Sequence, residues 1–201
     1  MSGQIQGSGR RSKKMLRHLA TNKTRMFFED EHKQTVATIT EPILAKKGSK
    51  SVIRANTSHK ARIAGVYVFV SLKASTQRVV VTLAKKSDHQ ALLHHLYQVK
   101  RRAGKGRVYV TLDNDGAHHA KRLKRLAAKQ GIHFRYLPSY SPDLNPAEEP
   151  LKQLKTYLRN RLFFTVEKLK QAIRTFFEQR NYTFDINVEG IYKNPAGVRS
   201  M

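Results

Sequence analysis

The chain has 201 residues, of which 39 are Lys or Arg and 14 are Asp or Glu, so its formal net charge is +25 with histidine neutral. With 39% hydrophobic residues, it is long enough to bury the core of one ordinary domain. The lack of cysteine excludes a disulfide framework, thiolate zinc sites and a cysteine nucleophile. The positive charge predicts a polyanionic partner, with nucleic acid ahead of an anionic membrane surface.

The sequence shows no candidate membrane span, and its first residues do not have the pattern of a secretory signal. No apolar stretch in the sequence approaches the ~18 residues that a membrane helix requires. Residues 1–24 are rich in Gly, Ser, Lys and Arg, and no apolar segment follows their basic residues. We therefore interpret residues 1–24 as a flexible basic tail and residues 25–201 as one domain, and we expect a cytoplasmic, DNA-associated protein without membrane contact.

From residue 25 onwards the sequence predicts alternating strands and helices. Two strands are predicted over RMFFEDEHKQT and TVATITEPILAKKG, followed by a hairpin of ARIAGVYVFVS and RVVVTLAKK joined through residues 73–77. The segment SDHQALLHHLYQVKRRAG predicts a helix that has Ser87 or Asp88 as its N-cap and ends at Gly104.

The second half continues the alternation. GRVYVTLDND has the pattern of a strand buried on both faces, HHAKRLKRLAAKQG predicts a helix, and IHFRYLP predicts a further strand. Two helices follow, over PAEEPLKQLKTYLRNRLF and VEKLKQAIRTFFEQRN. The order β-β-β-β-α-β-α-β-α-α is typical of an α/β layer with an initial meander and later parallel crossovers.

Three acidic residues stand at the ends of predicted elements in this basic chain. Asp30 follows the apolar part of the first strand, Asp113 follows the buried strand, and Glu148 lies in the first turn of a helix. Carboxyl ends of strands are where α/β folds collect ligand sites. Oxygen ligands from these positions could hold two Mg²⁺ or Mn²⁺ ions, an arrangement used for in-line phosphodiester chemistry.

Each acid also has a purely structural interpretation. Residues 113–116 (DNDG) form a turn and helix-capping sequence. Residues 145–148 (NPAE) fit an N-cap, a proline at the first helical position and a capping-box glutamate. Asp30 could be a charge at a strand end, flanked by two glutamates.

Helical geometry separates the two adjacent glutamates. Glu148 flanks the predicted leucine stripe of its helix, whereas Glu149 lies about 200° from Leu151 and faces solvent. Glu148 is therefore the better candidate.

Nine histidines, including the pairs 94–95 and 118–119, offer a rival metal site. The sequence has no H-E-x-x-H motif and no cysteine to pair with them, and adjacent histidines on a helix point apart. We interpret most of them as solvated or phosphate-facing.

The segments FFEDE, AKKG, ARIAGVYV, VTLDNDGAH and FRYLPSYSPDLNPAEE together resemble the catalytic domain of mariner-like insertion-sequence transposases, which are DDE enzymes. The resemblance covers roughly residues 25–180. Its most specific part is LPSYSPDLNPAE placed after LDN, with 34 residues between Asp113 and Glu148. The resemblance implies an α/β, RNase H-like fold, a mixed five-stranded sheet flanked by helices, for a catalytic domain over residues 25–201 with C-terminal helices.

The resemblance also implies the roles of individual residues. Asp30, Asp113 and Glu148 would be the catalytic triad that binds two Mg²⁺ (or Mn²⁺) ions for cleavage and strand transfer, without a covalent protein–DNA intermediate. Asn114 and His118 match the DN…H pattern and would shape the active site or contact DNA, although helix capping and a solvated histidine remain their alternatives. The turn that presents Glu148 would be set by Ser141, Pro142, Leu144, Asn145 and Pro146.

The partners implied are double-stranded DNA, both transposon ends and target, and a second copy of the chain in a homodimer that performs cut-and-paste transposition. Residues 1–24 are too few for the helix-turn-helix module of relatives, so we expect a separately encoded recognition protein or a truncated or domesticated remnant. Candidate phosphate contacts are Lys46, Lys47, Lys60, Arg62, Arg101, Arg102 and the helix face from Lys121 to Arg125.

The alternative function is a non-enzymatic basic DNA-binding protein domesticated from a transposase. An RNA-cleaving nuclease on the same fold is a third possibility. Charge alone fits all of them. The three acids favour the enzyme, because a protein that only binds DNA has no use for negative charge facing it.

Overall fold

The computed structural model describes residues 25–49, 52–113, 120–138 and 144–180. The predicted basic tail of residues 1–24 and the last residues, 181–201, lie outside the described ranges. Within them the elements follow in the order β1 (Arg25–Thr35), α1 (His59–Ile63), β2 (Gly65–Lys73), β3 (Val79–Ala84), α2 (His89–Ala103), β4 (Val108–Leu112), α3 (Lys121–Lys129), β5 (Ile132–Tyr136), α4 (Glu148–Leu158) and α5 (Val166–Gln179).

The five strands form one mixed sheet in the order β3-β2-β1-β4-β5. The hairpin of β2 and β3 pairs antiparallel to β1, whereas β4 and β5 run parallel to β1 because helical crossovers precede them. The mixed five-stranded sheet flanked by helices is therefore confirmed. The longest strand, β1, lies at the centre of the sheet, between the antiparallel hairpin of β2 and β3 and the parallel pair of β4 and β5.

Each face of the sheet is covered by a pair of helices. On one face α2 and α3 pack against a buried cluster that includes Phe27, Phe69, Val110 and Leu112. On the other face α4 and α5 pack against a second cluster that includes Val66, Val68 and Val70 of β2. Successive strand residues point to opposite faces, so the near-continuous apolar pattern of the central strands serves both clusters.

Local signals place the ends of α2 where the sequence predicted them. Asp88 is the N-cap, and its carboxylate accepts hydrogen bonds from the main-chain N–H groups of Gln90 and Ala91, at 3.0 and 2.9 Å. Gly104, with φ of +78°, ends the helix in a conformation that favours glycine.

The prediction of a strand over TVATITEPILAKKG is wrong. After β1 the chain is irregular, and its main-chain groups bond instead to the returning segment: Val36 N donates to Ala64 O, and Thr38 N donates to Asn56 O. The first residues of the predicted strand ARIAGVYVFVS belong to helix α1, which Ser58 caps by accepting from Ala61 N at 3.2 Å.

Helix α4 is shorter than the leucine pattern predicted, because it ends at Leu158 and leaves Leu162 outside. Asn160 has a φ of +55°, and its side chain bonds both the N–H and the carbonyl of Glu41, at 2.9 and 3.2 Å. This contact across the chain turns the backbone away from the helix axis. Among the helices of the described ranges, none has the length and apolar character needed to cross a membrane.

Candidate active site

Asp30 and Asp113 occupy equivalent positions on neighbouring parallel strands. The last register pair of β1 and β4 joins Phe28 to Thr111, and each aspartate stands two residues further along its strand direction. Since residues two apart share a face, both aspartates follow residues on the same face of the sheet. That is the face covered by α4 and α5, because Asp30 is in register with Val70 of their apolar cluster.

Glu148 comes to the same place from a different element. It is the first residue of α4, whose buried side carries Leu151, Leu154 and Leu158. Glu148 is partly exposed at the border of this side, while Glu149 is exposed. The helical geometry predicted from the sequence is confirmed for both glutamates.

Asn145 ties the start of α4 to β1. Its side-chain N–H donates to the carbonyl of Glu29 at 2.9 Å, and its side-chain oxygen accepts from Ala147 N at 3.2 Å. The side chain is buried, and its partner Glu29 directly precedes Asp30 in the chain. One residue therefore connects β1, next to Asp30, with the turn that leads into Glu148. The sequence predicted Asp30 at the end of the first strand, but it lies in the middle of β1, which continues to Thr35.

The capping box predicted over residues 145–148 is not the arrangement observed. The helix begins at Glu148 rather than at Pro146, and Asn145 organises the turn before it. The sequence pattern predicts Asn145 in this turn but not its bond to Glu29, because the two residues are 116 positions apart and no local pattern indicates the contact.

The three carboxylates interact electrostatically. The pKa of Asp30 is raised from 3.8 to about 7, first by burial, and then by the negative charges of Glu148 and Asp113, against a hydrogen bond from Glu31 N that lowers it. Glu148 also lies 3.5 Å from Lys152, one turn along the helix, in a partly exposed ion pair. The site therefore disfavours negative charge on Asp30, whose carboxyl group is poorly hydrated and lies near two other acids.

The charge on this face of the sheet also depends on His32 and Lys155. His32, two residues after Asp30, has its pKa lowered to about 4, first by burial and then by the positive charge of Lys155 on α4. His32 is therefore neutral at pH 7, and the positive charge beside it is that of Lys155.

The donors of the site suit a hard cation in kind. All three acids offer carboxylate oxygen, the ligand atom that Mg²⁺ and Mn²⁺ prefer, and a cation would offset the burial and the repulsion that raise the pKa of Asp30. Within the described ranges, no three acidic or histidine side chains are close enough together to share one metal ion as they stand. The rival histidine metal site likewise has no such cluster in those ranges.

The predicted DNA contacts are distributed over several elements. Lys46, Lys47, Lys60 and Arg62 are exposed in and around the connection between β1 and β2, and Arg101 and Arg102 are exposed in the last turn of α2. On α3, Lys121, Arg122 and Arg125 are exposed and Lys124 is half-buried. Asn114, His118, Ser141 and Pro142 lie outside the described residues.

One histidine departs from the prediction that most are solvated. His94 is exposed, but its neighbour His95 is fully buried, with Nε2 2.8 Å from Ser71 Oγ and Nδ1 2.8 Å from Thr82 Oγ1. Burial, reinforced by His94, lowers the pKa of His95 to about 3. His95 therefore bridges helix α2 to two strands as a neutral residue, on the face opposite Asp30.

Comparisons with known proteins agree with this architecture. The family model of the DDE superfamily endonucleases matches residues 25–170. No curated protein sequence matches the chain.

Three solved structures of a transposase share the fold at low sequence identity. The chain is similar to the Mos1 transposase paired-end complex with left transposon end, with a TM-score of 0.65, 16% identity, and coverage of 85% of this chain and 53% of that chain. For the Mos1 mariner paired end complex with Mn, the TM-score is 0.64 at 17% identity, over 85% and 53% of the two chains. For the catalytic domain of Mos1 mariner transposase it is 0.59 at 16% identity, over 85% and 78%. The chain thus spans about half the length of the first two chains.

Proposed function

Because the chain belongs to the DDE superfamily endonucleases, we propose that it is the catalytic domain of a DNA transposase that cleaves phosphodiester bonds and transfers strands at Asp30, Asp113 and Glu148. The observation that carries this proposal is the electrostatic coupling of Asp30, within β1, to Glu148 at the start of α4 and to Asp113 directly after β4. In a domain that only bound DNA, such a cluster would weaken the affinity for DNA, because the carboxylates and the phosphates are both negatively charged.

Asp30, Asp113 and Glu148 would hold two divalent cations, Mg²⁺ or Mn²⁺, which supply Lewis-acid polarisation of the phosphate and a nucleophilic water or 3′-hydroxyl. Asp30 gives up its proton when it becomes a ligand, because a nearby positive charge favours the carboxylate. Through its hydrogen bonds to Glu29 and Ala147, Asn145 fixes the position of the start of α4, and hence of Glu148, relative to Asp30. No side chain of the protein acts as a nucleophile in this scheme.

Binding would depend on phosphate contacts by the exposed lysines and arginines, with double-stranded DNA at transposon ends and target as the substrate. The solved relatives support this partner, since one is a paired-end complex with a left transposon end. We further propose that the active form is a homodimer. The protein is then expected in the cytoplasm on DNA.

The experiment is metal-dependent nicking and strand transfer on duplex DNA. Glu148→Gln is compared with Glu149→Gln, a matched control, because the two glutamates are adjacent on α4 and only Glu148 borders the site. We expect Glu148→Gln and Asp113→Asn to abolish products, and Glu149→Gln to retain them. Retained cleavage in Asp113→Asn would overturn the site.

The same assay separates the proposed enzyme from a non-enzymatic DNA-binding protein. Binding without metal-dependent products, on a pre-cut substrate with candidate end sequences, would favour the DNA-binding protein. Asp113→Asn should bind DNA as tightly as the wild type or more tightly, because one repulsive charge is removed.

A further inference from the structure

Next to the acidic site, strands β4 and β5 carry three neighbouring side chains, two of which contact the ring of Tyr109. Tyr109 of β4 is in register with His133 of β5, and their ring centroids lie 5.5 Å apart with the ring planes at 32°. The guanidinium carbon of Arg135 lies 5.4 Å from the centroid of the Tyr109 ring. We call Tyr109, His133 and Arg135 the β4–β5 ledge.

The ledge lies on the same face of the sheet as the aspartates. Arg135 is in register with Thr111, which is two residues before Asp113, and His133 and Tyr109 are two residues further back. At ~3.3 Å per strand residue, the distance along β4 from Asp113 to Tyr109 is about 13 Å. The ledge therefore begins beside the acidic site and leads away from it along the edge of the sheet.

The ledge does not belong to the apolar packing on this face. The cluster beneath α4 and α5 takes its strand residues from β2 and β3 and, among the described residues, includes none from β4 or β5. Arg135 is exposed, and Tyr109 and His133 are half-buried. A planar cation supported by an aromatic ring thus reaches the surface where the sheet ends at β5.

The charge around the ledge suits a polyanion. Strands β4 and β5 contain no aspartate or glutamate, and Arg135 supplies a positive charge on the face that carries the ledge. The other five lysines and arginines of residues 120–138 belong to α3, which covers the opposite face. Stacked guanidinium and aromatic groups in a basic surface are the combination by which proteins bind the bases of single-stranded nucleic acid.

We propose that the β4–β5 ledge is a stacking site for an unpaired nucleotide of the DNA strand that enters the acidic site. This inference rests on the proposed function, which supplies the strand. The base stacks on the guanidinium plane of Arg135, which Tyr109 supports from below. With ~3.4 Å between stacked nucleotides, the ledge lies within about four nucleotides of the scissile phosphate.

The test measures binding rather than cleavage, in EDTA so that no metal is present. Fluorescence anisotropy compares a blunt duplex with the same duplex carrying a four-nucleotide single-stranded extension. We expect the wild type to bind the extended duplex about fivefold or more tightly, the effect of stacking one base. Equal affinity for the two duplexes would overturn the proposal.

Arg135→Lys separates stacking from charge, because lysine keeps the charge but not the plane. We expect it to remove the preference for the extension while leaving blunt-duplex binding unchanged. Arg174→Lys, at an exposed arginine of α5, is the matched control and should keep the preference. An Arg135→Lys protein that still prefers the extension would show that stacking on this residue is not the cause.

Photochemical crosslinking locates the contact directly. A 5-iododeoxyuridine in the extension should crosslink to Tyr109 or His133, identified by peptide mass, and crosslinks confined to other regions would overturn the assignment. These outcomes are independent of the proposed function, which fails instead if the wild type yields no metal-dependent products.

Discussion

The side chain of Asn145 donates a 2.9 Å hydrogen bond to the carbonyl of Glu29, so a residue before helix α4 holds the backbone next to Asp30. Both partners are buried, with the Asn145 side chain 6% exposed and Glu29 1% exposed. A bond in such a place is costly to lose, because the remaining polar group is not solvated. It also fixes how Glu148 sits relative to Asp30.

Replacement of Asn145 by alanine should therefore have two effects. We expect the free energy of unfolding to fall by ~1–3 kcal/mol, since the Glu29 carbonyl loses its buried partner. We also expect cleavage to fall at least tenfold at a temperature where the variant is fully folded, because Glu148 is no longer held near Asp30. Urea denaturation and a single-turnover nicking assay measure the two effects; wild-type cleavage in a destabilised variant would show that the bond is only structural.

Asp30→Asn should stabilise the metal-free protein while it abolishes cleavage. The raised pKa of about 7 means that between pH 4 and 7 the native state keeps a proton which the unfolded chain has lost. The free energy of unfolding of the wild type therefore falls as the pH rises through this window. We expect the variant to be more stable by roughly 1–3 kcal/mol at pH 8, with a smaller gain at pH 5. Unfolding curves at the two pH values test this, and a variant less stable than wild type at pH 8 would contradict it.

His95 should give the opposite pH dependence. Its pKa is lowered to about 3 in the native state, so below pH 6.5 only the unfolded chain takes up the proton. Its contribution to stability is present above pH 6.5 and is lost as the pH falls, by up to ~1.4 kcal/mol per pH unit. His95→Gln, which keeps hydrogen-bonding groups but does not titrate, should flatten the profile between pH 6.5 and 4. A His95→Gln profile as steep as that of the wild type would contradict this prediction.

DNA binding should depend steeply on salt. If ~6–10 phosphates are contacted, affinity falls by about 10³–10⁵ between 50 and 200 mM salt. The double variant Lys46→Gln, Lys47→Gln should lower the slope of log K against log salt by about 2 if both lysines contact phosphates. A slope unchanged from wild type would remove this pair from the interface, and a flat response in the wild type would refute binding through phosphates.

Most of the fold could be predicted from signals between residues close together in the sequence. The bounds of β1, the hairpin of β2 and β3, and the ends of α2 at Asp88 and Gly104 all follow from apolar patterns, a cap and a glycine close together in sequence. The predicted secondary structure was wrong where contacts between residues distant in the sequence determine the backbone conformation. The segment after β1 has strand-like residues, but its main-chain groups bond to residues around α1.

The candidate site likewise has features that the sequence predicts and features that it does not. The placement of Asp113 and Glu148 at element ends was predictable, because each stands where an apolar pattern stops or starts. Asp30 lies instead within β1, because pairing with β2 continues the strand to Thr35. The burial of His95 was not predictable, since it depends on hydroxyl groups of Ser71 and Thr82 that reach it from two other elements. Nor did any pattern show that Tyr109 would meet Arg135, because their contact requires the register of β4 and β5.

The order of the elements also has a consequence for synthesis of the chain. All five strands are complete at Tyr136, whereas Glu148 follows them on α4. Since a protein emerges from the ribosome from its N-terminus, the sheet can assemble around both aspartates before the glutamate is available. Under the proposed function, the third carboxylate joins the two aspartates only when α4 docks on the finished sheet.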